Sequence, residues 1–90
     1  MRKTLTIDGI KIVTEFIITD QEPGRYFMRS TKYNVWLYDD NYDALLEDFE
    51  WILKDKVRIY THTSLDELPP EERKYWRRYR KLLDKGLNID

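Results

Sequence analysis

Apolar and polar positions alternate from the fifth residue onward. Leu5, Ile7, Ile10 and Ile12 share one side of an extended chain, interrupted only by Asp8-Gly9. Asp-Gly between alternating apolar residues marks a two-residue hairpin loop, because a type I′ turn needs positive φ at both central positions. Such a loop sets Ile7 opposite Ile10 and Leu5 opposite Ile12. Carrying the period of two forward adds Phe16 and Ile18 to the inner set. Val13 and Ile17 fall on the other face, among Lys11, Glu15 and Thr19.

Asp20 to Gly24 reads as a turn, by its Pro and Gly. Residues 25–30 then read as a third strand and 34–38 as a fourth. In the fourth, Val35 and Leu37 point one way, Trp36 and Tyr38 the other. Both faces of the sheet therefore carry large apolar side chains, and one covering layer does not account for both.

After Tyr38 the period lengthens. Asp39-Asp40-Asn41 is a cap, and Tyr42, Leu45, Leu46, Phe49, Ile52 and Leu53 recur at helical spacing, which predicts a helix over 42–54. Acids in its first turns suit the positive end of the helix dipole. Residues 56–61 read as a fifth strand. Ser64 and Glu67 have capping-box spacing in a short turn. Pro69-Pro70 breaks the chain and opens a second helix, which Gly86 stops. Its stripe of Tyr75, Trp76, Tyr79, Leu82 and Leu83 is the natural cover for the sheet face bearing Trp36 and Tyr38. The pattern predicts one α+β domain over 1–90. An antiparallel sheet of four to five strands carries one helix on the face with Ile10, Ile12 and Phe16, within residues 1–61. An amphipathic basic helix follows at 69–86.

Composition narrows the function classes. The absence of cysteine excludes a disulfide scaffold, a thiolate nucleophile and any thiolate-bound metal. Apolar runs such as Phe16-Ile17-Ile18 extend for only a few residues, far short of a membrane span. Arg2 and Lys3 are not followed by an apolar core segment, so no secretory signal is expected and a cytoplasmic setting is, in a bacterium or its host. Three Trp, seven Tyr and three Phe cannot all be solvated without an unusually large apolar patch.

Charge adds a second pattern. The formal net charge is −1, yet residues 39–55 hold seven acids and one base, and residues 69–90 hold seven bases and four acids. Such segregation suggests a charged face for a partner, or two opposed elements side by side. On the first helix, Trp51 falls opposite the Leu46–Phe49 core stripe, next to Glu47 and Asp48 and on the same acidic side as Asp43. A Trp ringed by charge has the composition of a binding hot spot; the alternative is that another element or a second copy of the chain covers it. On the second helix, Arg73, Lys74, Arg77, Arg78, Arg80 and Lys81 form a basic back that could follow a nucleic-acid backbone. The net charge of the whole chain is not that of a dedicated nucleic-acid binder. Tyr33, Trp36, Tyr38 and Tyr60 are a candidate stacking platform for single-stranded bases, set against their use as core.

Catalytic chemistry finds little purchase. His62 is the only histidine, in Thr61-His62-Thr63-Ser64, without the strand-to-helix elbow that would make Ser64 a nucleophile. The acids of 39–50 lack calcium-loop spacing and its turn glycine. No metal, cofactor or enzymatic activity is expected.

The segment Asp40-Asn41-Tyr42-Asp43-Ala44-Leu45-Leu46-Glu47-Asp48-Phe49 resembles the strand-to-helix junction of the HicB-like antitoxin fold, and the order strand–strand–strand–helix–strand over residues 10–61 is similar to it. The family's Gly-Cys before that junction is Asn34-Val35-Trp36 here. The resemblance implies a protein that binds and neutralises a small RNA-cutting toxin, often with a separate DNA-binding part. It carries no functional residue across.

The function expected from the sequence is thus non-catalytic and inhibitory or regulatory. The protein would occupy a macromolecular partner, a nucleic-acid-acting enzyme above all, as an antitoxin or a phage or mobile-element inhibitor of anti-CRISPR type does. The alternatives are an accessory nucleic-acid binder working through the basic helix, and a structural or homo-oligomeric phage or bacterial protein.

Overall fold

Asp8 and Gly9 both adopt left-handed backbone, with φ of 52° and 80°, and the hairpin closes in the register that the Asp-Gly turn dictates. Ile7 faces Ile10 and Leu5 faces Ile12. The structure, a computed structural model, describes residues 2–18 and 25–89, the side chains of residues 16–18 excepted. The turn expected at 20–24 and the inward placing of Phe16 and Ile18 lie outside the described residues.

Four strands, β1 (Arg2–Ile7), β2 (Ile10–Ile18), β3 (Tyr26–Ser30) and β4 (Val35–Asp39), form one antiparallel sheet in sequence order. Helix α1 (Tyr42–Thr61) and helix α2 (Arg73–Asp84) follow, separated by two 3-10 turns. This is an α+β fold. Asn41 is the N-cap of α1: its side-chain oxygen accepts the Ala44 N–H at 3.0 Å. Asp39 in turn accepts the Asn41 N–H at 2.9 Å. At the other end of the chain, Gly86 takes φ of 104°, and the N–H groups of Gly86 and Leu87 donate to Leu83 and Leu82. That pattern is a Schellman stop, which a glycine enters without steric cost.

The inner sheet face supplies Ile7, Ile10, Ile12, Met28 and Val35 to the core. Helix α1 answers with Leu45, Phe49, Leu53 and Val57, four residues at successive i, i+4 positions, all buried. Burial of each stabilises the fold by about 1.5–3 kcal/mol relative to leaving it in water.

Two expectations from the sequence are overturned. Residues 56–61 are the last turns of α1 and not a fifth strand. Val57 and Ile59 alternate as a strand would, but Val57 also continues the i, i+4 stripe, and no Gly, Pro or cap separates it from Leu53. The helical period wins because it buries Val57, while Ile59 stays in solvent. The second correction follows from the first. Trp36 and Tyr38 are not covered by α2; they are 62% and 58% exposed. The extended α1 offers α2 a different seat.

That seat is built on the turn between β3 and β4. The Lys56 amine donates to the carbonyl of Asn34, just before β4 begins, so the end of α1 runs past the sheet. Helix α2 packs on this overhang. Tyr79 is buried, edge-on to Tyr60 with ring centroids 5.2 Å apart and stacked on Tyr33 at 6.2 Å. Its hydroxyl donates to the carbonyl of Tyr33. Arg78 donates to the carbonyl of Lys32 at 2.9 Å. Tyr75 and Trp76 are half-buried, and Trp76 donates to the Thr63 carbonyl at 2.9 Å.

Asp8 ties the hairpin tip to both later parts of the chain. Its carboxylate meets Lys54 at 3.0 Å and accepts the Asn88 N–H at 2.9 Å. The Asn88 N–H and the Lys54 amine hold the Asp8 carboxyl below the usual carboxylate range, and the same contact with Asp8 raises Lys54.

Two stability measurements follow. Replacing Tyr79 by Phe leaves the buried Tyr33 carbonyl without its donor, and urea unfolding should show a loss of about 1–3 kcal/mol. Burial also pushes the Tyr79 hydroxyl upward. The unfolded chain then ionises first, so wild-type stability is complete below about pH 10 and falls above it. The Phe variant should show a shallower alkaline decline. For Asp8 the sign is opposite: its depressed value contributes stability above the unfolded carboxylate range, near pH 4, that is lost as pH falls further. Asp8→Asn should therefore be less stable at neutral pH and lose less on acidification, as read from melting curves between pH 2 and 7.

Candidate functional site

Helix α1 turns its apolar stripe to the sheet, which forces Asp43, Glu47, Asp48 and Trp51 to the opposite side. All four are exposed, and Trp51 is 67% exposed. Intramolecular cover of this Trp is excluded by that figure. Ile59, two turns further on, is exposed on the same flank. Glu50 pairs with Lys54 at 3.6 Å and Asp55 with Arg58 at 3.0 Å. Among the described residues no cation pairs with Asp43, Glu47 or Asp48. The structure thus gathers the acidic site residues expected from the sequence on one helix back, around an uncovered indole.

The basic back of α2 divides into two groups. Arg73 and Arg78 are half-buried and spend their guanidinium groups on the carbonyls of Leu68, at 3.2 Å, and Lys32. Arg80 lies 3.7 Å from Asp84. Lys74, Arg77 and Lys81 are exposed, and no described anion pairs with them. Lys74 and Arg78 both sit over the Tyr75 ring, 5.2 and 5.6 Å from its centroid.

Of the four aromatics considered as a stacking platform, the structure keeps two. Tyr33 is buried beneath Tyr79 and Tyr60 is half-buried beside it. Trp36 and Tyr38 project from the outer sheet face. The register brings Phe27 beside Tyr38 and Arg29 beside Trp36, with Arg25 5.4 Å from the centre of the Tyr38 ring. Phe27 and Arg29 were not singled out from the sequence. Alternation in β3 against Met28 and Ser30 was the signal that could have found them.

His62 is exposed just past the end of α1, where its backbone N–H donates to the carbonyl of Arg58 at 3.3 Å. No hydrogen bond joins it to Ser64 among the described residues. No three described His, Cys, Asp or Glu residues lie together as metal ligands would. Among the described residues no helix is long and apolar enough to cross a membrane.

No family model matches the chain, and neither a curated protein nor a solved structure does. The strand that the HicB-like order places after the helix is helical here.

Exposure makes a clear stability prediction. Trp51→Ala and Trp36→Ala should each change unfolding free energy by no more than about 0.5 kcal/mol, as solvated positions do. Phe49→Ala, in the buried stripe, should cost about 3–5 kcal/mol in the same denaturation series.

Proposed function

We propose that this chain is a non-catalytic binding protein that acts by occupying a macromolecular partner through the back of α1. The observation that carries this reading is the 67% exposure of Trp51 on the face where no cation of the described residues pairs with Asp43, Glu47 or Asp48. An indole costs little conformational entropy to immobilise and supplies a large contact area. The acids around it select a basic surface. The nucleic-acid cleft of a DNA- or RNA-acting enzyme has that chemistry, and an acidic helix laid in it would exclude the polynucleotide. The likeness of residues 40–49 to an antitoxin junction points the same way, toward inhibition by occupancy.

In this arrangement Trp51 is the anchor and the acids are the rim. Once a partner has been isolated from the source cell, Trp51→Ala should weaken its binding by about 30-fold, on the order of 2 kcal/mol, with an unchanged melting point. Glu47→Lys and Asp48→Lys should act mainly on the association rate and flatten its salt dependence. A Trp51→Ala protein that binds the partner as tightly as wild type would remove this face from the function.

A further inference from the structure

We infer that the outer face of the sheet is a second binding surface, and that its ligand is a single-stranded polynucleotide held by base stacking on Trp36 and Tyr38. The reading is independent of the α1 back, since α1 packs on the opposite face of the sheet.

Alternation fixes the arrangement. Trp36 and Tyr38 are two residues apart on β4, about 7 Å along the strand, so each ring can take its own base. Both are more than half exposed. They stand at the sheet edge, where no fifth strand lies beyond β4 among the described residues. Base–aromatic stacking tolerates any sequence, because every base has a π face. A duplex keeps its bases stacked inside and offers none.

Charge identifies the occupant more narrowly than the aromatics do. On this face Glu15 is matched by Arg29 at 2.6 Å and Asp40 by Arg25 at 3.3 Å. Arg2, Lys11 and Lys32 remain, with no described anion against them. These three cations border a depression of about 370 Å³ beside β2, which Arg29 also lines. The acids of α1 lie behind the sheet, so an overall charge of −1 coexists with an excess of cations among the described residues of the outer face. A second copy seated face to face by two-fold symmetry would set this positive surface against itself. A polyanion with flat, apolar bases complements both of its properties.

The surface also has a continuation. A groove of about 320 Å³ runs from Phe27, Arg29 and Trp36 past Asn34 to Tyr75 of α2. Tyr75 is the ring that Lys74 and Arg78 flank. A strand stacked on Tyr38 and Trp36 would therefore pass onto the exposed Lys74, Arg77 and Lys81. The aromatic sheet face and the basic helix become one track, with Tyr75 at the corner.

The test uses fluorescein-labelled dT and U oligomers of about twelve nucleotides, titrated with the full chain and read by anisotropy. Both should bind, and an unlabelled duplex of equal length should fail to displace them. Trp36→Ala and Tyr38→Ala should each weaken binding about ten-fold. Lys11→Glu and Lys74→Glu should each lower the slope of log affinity against log salt by about 0.7. Trp51→Ala should bind the oligomers as wild type does, which separates this surface from the α1 back. Circular-dichroism melts check that the exposed-site variants remain folded. Failure of both oligomers to bind, or binding that Trp36→Ala and Tyr38→Ala leave intact, would overturn the inference. So would sedimentation showing a dimer that these two variants dissociate, because the face would then belong to a second copy.

Discussion

The turn between β3 and β4 presents three successive carbonyl oxygens to the helices, and each receives a different side chain: Lys32 from Arg78, Tyr33 from Tyr79, Asn34 from Lys56. Of the three, the Tyr33 carbonyl is buried and would cost the fold its desolvation if it were unpaired; the other two bonds lie at the surface. Here the pairing comes from side chains 22 to 46 positions away. The turn is consequently the place where the sheet, α1 and α2 are held in one geometry. Asn34, with φ of 54°, supplies the left-handed bend that closes this turn ahead of β4. Partial burial lowers the Lys56 amine, and the Asn34 carbonyl is its hydrogen-bond acceptor there.

This junction also explains which parts of the fold could be read from the sequence. The hairpin register was legible because Asp8-Gly9 allows little else, and the inner stripe of α1 as far as Leu53 because Leu45, Phe49 and Leu53 recur at one spacing. Residues 56–61 were not, since Val57 and Ile59 satisfy the strand and the helix period alike over so short a run. Burial of Val57 in the common core decides between them, and Ile59 is left in solvent. That decision displaces α2 from the outer sheet face, so one local ambiguity produces both corrections.

The candidate sites divide along the same line. Helical geometry alone put Trp51 and the acids of α1 on the side away from the core, and left open whether another element covers the indole; in the fold no other described part of the chain does. The outer sheet face could not be placed in this way. Trp36 and Tyr38 were visible as a pair, but their exposure depends on where α2 docks. Arg73 and Arg78 show the converse: they read as part of a basic surface, yet their guanidinium groups finish backbone hydrogen bonds.

Asp8 sits at the tip of the first hairpin and accepts the N–H of Asn88, a contact spanning 80 positions. The hairpin itself and the turns of α1 are local and form in microseconds. A closure of this length comes after them, because the intervening chain must already be ordered before its ends can meet. Contacts made after the rate-limiting step leave the folding rate nearly untouched and act on the rate of unfolding. A contact of that late kind at Asp8 would be felt in the rate at which the folded molecule opens, and so in resistance to proteolysis whenever cleavage outpaces reclosing.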